Sequence, residues 1–174
     1  MESKKYLDNI LEIYKNSFDI TKDYDFKGNK FSAYGYFNSK AEKYVLVKEV
    51  NLWEVNSFEH IFFIEIESLT LEVFQKYERL LKEKLESHFI RNGNKYPEKN
   101  HMSSFISLVF ISSSEINEEI IKKIQKFSFE KTYLFSIRGF FSTKVIGVDL
   151  KKNKIYYNKT AKDLENIYKK FLEI

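Results

Sequence analysis

The 174-residue chain has no cysteine, one proline, five glycines and three histidines. Without cysteine there is no disulfide framework, no thiol nucleophile and no thiolate metal ligand. His60, His88 and His101 are too few and too scattered to suggest a histidine-built zinc centre. No GxGxxG or GxxxxGKS/T run is present, so no backbone cradle for phosphate is expected. Residues 1–6 lead straight into a helical pattern without an apolar core, which predicts no signal peptide. The apolar runs are too short to span a bilayer. A cytoplasmic protein with no membrane partner is expected.

Aromatics are plentiful, with 17 Phe and 12 Tyr, and lysine far outnumbers arginine. The net charge is +4. Residues 151–174 hold seven lysines against Asp163, Glu165 and Glu173, enough to account for the whole excess. A field of this size favours an anionic partner only mildly.

Apolar residues recur at helical spacing over residues 4–18, 70–89 and about 112–126, and again in a final helix. Thr70 opens the longest of these, whose stripe is Val73, Phe74, Tyr77, Leu80, Leu81 and Leu85. Ser112 or Ser114 is expected to cap the third helix, with Glu115 completing a box, and Thr160 with Asp163 the last. Strands are expected at 31–37, 44–55, 60–68 and 102–111. A hairpin of 131–140 and 144–150 is expected to turn at Phe141-Ser142-Thr143, with a further strand at 155–157. Residues 19–30 read as a polar turn. The expectation is a single α/β (α+β) domain over residues 1–174, with one mixed sheet flanked by helices. Its order is αβββαβα, followed by a β-meander and a C-terminal helix.

Three function classes follow. The leading one is a non-enzymatic binding or structural domain that works through a protein partner or a homo-oligomer, because no coherent catalytic set is visible. Trp53, with Tyr44 or Phe58, would mark such a surface if exposed. The third is a nucleic-acid-binding module without catalysis. Lys151, Lys152, Lys154, Lys159 and Lys162 interleave with Tyr157, a pattern suited to phosphate contact and base stacking.

The second, ahead of that module, is an enzyme, a divergent or degenerate metal-dependent nuclease. The order helix, three strands, helix, strand, helix resembles the restriction-endonuclease-like core. That resemblance implies a Mg²⁺-dependent phosphodiesterase with an acid on the second strand and an acid-x-Lys pair on the third. Glu49, with neighbouring Lys48, and Glu65 and Glu67 are the matching candidates, and Mg²⁺ is the cofactor only under this reading. Glu67 stands where the pattern wants lysine. Arg138, beside Gly139 in an apolar run, is a candidate anion contact. His88 and His101 flank a Gly/Pro loop across which they could face one another.

Lys131-Thr132-Tyr133-Leu134-Phe135, Ile137-Arg138-Gly139-Phe140, Val148-Asp149-Leu150 and Tyr157-Asn158-Lys159 together resemble a family of uncharacterised proteins from low-GC, Firmicutes-like bacteria. That resemblance implies a compact bacterial domain and brings no activity.

Overall fold

Helix α1 (Ser3–Tyr14) turns one face inward because Tyr6, Leu7, Ile10, Leu11 and Tyr14 recur at helical spacing. The computed structural model describes residues 2–39 and 57–172. Strands β1 (Asp19–Phe26), β2 (Asn29–Asn38) and β3 (Ser57–Ile66) follow, then α2 (Leu71–Leu80), which continues as a π-helix over Leu81–Ile90. Next come β4 (Ser103–Ser112), α3 (Glu118–Lys126), β5 (Lys131–Thr132), β6 (Phe140–Asp149) and β7 (Lys154–Tyr157). A 3-10 turn (Lys159–Leu164) leads into α4 (Glu165–Lys169).

The seven strands form one mixed sheet in the order β1-β2-β3-β4-β6-β5. β1, β2 and β3 are antiparallel neighbours, whereas β3, β4 and β6 are parallel and joined by helical crossovers. β5 and β7 share the outer edge of β6, pairing with its two ends. Cores lie on both faces. Phe62, Leu85, Phe110, Ile120 and Phe141 pack beneath α2 and α3. Tyr6, Phe63, Val109, Val148 and Tyr168 pack beneath α1 and α4. The parallel strands are therefore apolar on both sides. Among the described residues, no helix is long and apolar enough to cross a membrane.

The architecture agrees with the sequence reading, but several elements do not. Residues 19–30 are an edge strand and a tight hairpin. Lys27 and Gly28 both have positive φ and connect Phe26 to Asn29, as a two-residue hairpin of right-handed strands requires. β1 escapes a period-two search because Asp23, at φ +52°, breaks its alternation. Ile20 packs with the α1 core, whereas Tyr24 and Phe26 pack with the α2 core. Its outward Asp19, Lys22 and Asp25 also discourage edge-to-edge pairing. The strand expected at 44–55 lies outside the described residues, as do Glu49, Lys48 and Trp53.

Phe141-Ser142-Thr143 is no turn. It is the buried start of β6, in register with Ser104-Phe105-Ile106 of β4. The chain instead reverses at residues 133–139. The α3 cap is Asn117, whose side chain accepts from the Ile120 amide at 3.0 Å. Ser112 ends β4, and its hydroxyl accepts from the Leu69 amide and donates to the Ser114 carbonyl. Thr160 caps nothing: it lies within the 3-10 turn that precedes α4. Asn158 is the polar clasp there. Its carboxamide accepts from the Val145 amide and donates to the carbonyls of Phe127 and Thr143.

Gly139 is fixed by close approach. Its φ is +72°, and a methyl group on it would lie 2.2 Å from the Met102 carbonyl oxygen. Gly139→Ala should cost about 2–3 kcal/mol, combining left-handed strain with a backbone collision. Equilibrium urea unfolding measures this directly, and an unchanged midpoint would refute it.

Candidate functional site

At the N-terminal end of the parallel strands, the sheet and the end of the π-helix enclose a cavity of about 270 Å³. β2 contributes Tyr36 and β3 contributes Phe58 and His60. The helix end supplies Phe89 and Arg91, and the following loop supplies His101. His60 pairs with Tyr36 across β2 and β3, which sets the two rings face to face at 4.9 Å and 23°. Phe89 lies 4.9 Å from the same imidazole and Phe58 approaches it edge-on.

His60 is 6% exposed. Burial, aided by nearby His88, lowers its pKa to about 3, so the ring is neutral. Its Nδ1 lies 2.7 Å from the Tyr34 hydroxyl. Burial raises the Tyr34 pKa far above its ordinary value, so neither partner carries charge, whichever donates.

His101 is held on both sides. Its Nδ1 donates to the Arg138 carbonyl at 2.5 Å, which leaves Nε2 to accept from the Ser104 hydroxyl at 2.9 Å. Burial lowers the pKa of His101, partly opposed by the bond to Arg138. A serine, a histidine and an orienting acceptor resemble a nucleophile arrangement. Ser104 is fully buried, so here the trio fixes a ring rather than presenting a nucleophile.

Behind the cavity lies a buried carboxylate. Glu86 is fully buried on the π-helix. It accepts from Arg91 at 2.8 and 3.0 Å, from Lys131 at 2.8 Å and from the Tyr133 hydroxyl at 2.6 Å. These three donors outweigh its desolvation and hold its pKa below the usual carboxylate value. Arg91 spends its remaining arm on the Asn94 carbonyl.

Beside the cavity is the turn that contains Leu134, Phe135 and Ser136, three successive non-glycine residues in the left-handed region. It is closed by hydrogen bonds from the Tyr133 amide to the Gly139 carbonyl and from the Arg138 amide to the Tyr133 carbonyl. It holds Phe135 98% exposed and Ile137 76% exposed, with Phe140 and Met102 partly exposed nearby.

The family described as Domain of unknown function (DUF8052) matches residues 2–170. The chain belongs to that family. No curated protein and no solved structure matches it.

The DUF8052 chain distributes the sequence candidates unevenly. Arg138 lies in the 133–139 turn, not on a strand, and donates to the Pro97 carbonyl at 2.8 Å. Glu65 is half-buried near the end of β3, and Glu67 is exposed just beyond it. β2 carries no carboxylate, and the strand on which Glu49 was expected lies outside the described residues. Among the described residues no three His, Cys, Asp or Glu side chains are grouped to hold a metal.

Lys151, Lys152 and Lys154 gather at the β6–β7 turn, where Lys152 pairs with Glu115. Lys159 and Lys162 lie at the other end of β7, a separation of roughly 13 Å for a four-residue strand. Tyr157 donates to Glu165 at 2.5 Å. His88 packs on Phe26 and is exposed, so it does not face His101. The histidine that joins His101, through Phe58, is His60.

Sequence reading did not single out Glu86, the 133–139 turn or a second charged cluster. In the latter, Ser107 donates to Glu59 at 2.5 Å and Lys144 reaches Glu59 at 3.2 Å while lying over the Phe105 ring. Its trace in the sequence is slight: Lys144 stands alone in the apolar run of β6, and Glu59 lies near the start of β3.

Proposed function

We propose that this domain is a cytoplasmic, non-enzymatic binding domain that works through protein contacts, and that its partner is a second copy of the same chain. The supporting observation is Phe135. A phenylalanine held 98% exposed by three consecutive left-handed residues is costly twice, in hydration and in backbone strain. The turn's internal hydrogen bonds make it rigid, so little ordering entropy is lost when it docks. Exposed aromatics with an apolar surround are the usual anchors of protein interfaces.

The patch has four exposed large apolar residues, Met102, Phe135, Ile137 and Phe140. Four side chains fall short of the roughly 800 Å² per partner of a stable interface, whatever its symmetry. A two-fold contact uses the same patch twice and needs no second surface. Association should therefore be weak and reversible.

Sedimentation velocity at rising concentration tests the reading. Wild type should dimerise with a Kd on the order of 10–100 µM. Phe135→Asp combined with Ile137→Asp should remain monomeric with an unchanged far-UV spectrum. A wild type that stays monomeric to about 1 mM, or a double variant that still dimerises, would refute it.

A further inference from the structure

The cavity beside the turn makes its own case, independent of Phe135. His60 is among its lining residues. The ring is 94% buried, its Nδ1 is occupied by Tyr34, and no described residue pairs with Nε2. A buried ring nitrogen without a partner costs about 1–3 kcal/mol, and native structures seldom leave one unmatched. Here it belongs to a side chain that lines an open cavity. The cavity, at about 270 Å³, falls below the roughly 300–1,000 Å³ of sites for drug-sized ligands. It has room for one ring system and not for a nucleotide.

Its walls are ring faces and edges. Tyr36 and His60 are stacked, and Phe89 and Phe58 pack around the same imidazole. Flat ligands stack on such walls. The cations at the cavity are already matched. Arg91 gives two arms to Glu86 and one to the Asn94 carbonyl, and Arg138 donates to Pro97. Among the described residues, no unmatched positive charge lines the cavity to attract an anion. Asn92 and Asn100 supply carboxamides at the rim, which both donate and accept.

We propose that this cavity binds an uncharged, planar heteroaromatic ring of nucleobase type, stacked among Tyr36, Phe58 and Phe89 and hydrogen-bonded to His60 Nε2. The same ring chemistry is available from a free nucleoside or from a base in a single-stranded oligonucleotide.

The test is titration of the ¹⁵N-labelled protein with adenosine, cytidine and uridine, with inorganic phosphate as a separate arm. At least one nucleoside should give saturable shifts centred on His60, Phe89 and Asn100, and phosphate should give none. His60→Phe keeps an aromatic wall and removes the ring nitrogen. It should weaken binding about tenfold, the worth of one buried hydrogen bond. Phe89→Ala should weaken it by a similar factor through lost stacking.

A homopolymeric oligonucleotide of the preferred base distinguishes the source. Tighter binding than the nucleoside, with a salt-dependent gain, assigns nucleic acid. Equal affinity per base assigns the free ring. Absence of saturable shifts with all three nucleosides to about 10 mM, saturation by phosphate alone, or undiminished affinity in His60→Phe would overturn the proposal.

Discussion

Replacing Glu86 with alanine should lower the unfolding free energy by about 3 kcal/mol, the lower end of the range for breaking a buried ion pair. The carboxylate is fully buried and collects four hydrogen bonds from Arg91, Lys131 and Tyr133. Its loss leaves two cations and a phenol without their acceptor. The cost stays at the lower end because Lys131 and Arg91 retain 37% and 22% exposure and can recover water. Tyr133→Phe should cost less, about 1–1.5 kcal/mol, because it removes one hydrogen bond and keeps the ring against His101. Urea unfolding of the two variants checks both magnitude and order. A Glu86→Ala cost below about 1 kcal/mol would show that the network is dispensable. Tyr133 begins the exposed turn, so this substitution should also loosen the presentation of Phe135.

The second large effect is on pH dependence. His60 titrates near 6.5 when unfolded and at about 3 when folded, because burial opposes its charge. Between these values the unfolded chain binds the extra proton. Stability is therefore complete above pH 6.5 and declines as pH falls toward 3, by up to about 1.4 kcal/mol per pH unit. From pH 7 to pH 5, His60 alone should account for a loss of about 2 kcal/mol. His101, also lowered by burial, adds in the same direction. Glu86 adds its own loss only below the ordinary carboxylate range, so the window from pH 7 to pH 5 isolates the histidines. Unfolding free energies at pH 7, 6 and 5 should fall steeply for wild type and by about 2 kcal/mol less for His60→Phe. Parallel slopes for the two proteins would contradict the buried neutral state of His60.

What could be read from the sequence depended on how far each element obeys a simple period. α1 was legible because its apolar residues keep helical spacing, and β3 because Ile61-Phe62-Phe63-Ile64 is buried on both faces. β1 was hidden by a positive φ at Asp23, which moves its later side chains to the other core. The 133–139 turn was hidden by composition. Leu134 and Phe135 adopt left-handed conformations that usually signal glycine or asparagine, so the segment looks like a strand.

Glu86 was invisible for a geometric reason. From Leu81 onward the helix winds by i→i+5 hydrogen bonds, and angular positions counted at the α-helical period no longer hold. A glutamate following Leu85 on the α-helical pattern is turned fully inward instead. The cavity was half legible. His60 and His101 were visible as scarce residues, but their approach through Phe58 depends on the parallel register of β3 and β4.

Two contacts of Tyr168 tie α4 to α1. Tyr6 donates to the carbonyl of Tyr168 at 2.7 Å, and Tyr14 meets the Tyr168 hydroxyl at 3.1 Å. These partners are more than 150 residues apart. Helix α1 therefore leaves the ribosome with an apolar face whose cover, α4, is synthesised more than 150 residues later. Until α4 emerges, Tyr6 and Ile10 have only the growing sheet to shelter them. At roughly 5–20 residues per second that wait lasts on the order of ten seconds. During this interval the nascent chain is a natural client for chaperones that hold exposed aromatic helices.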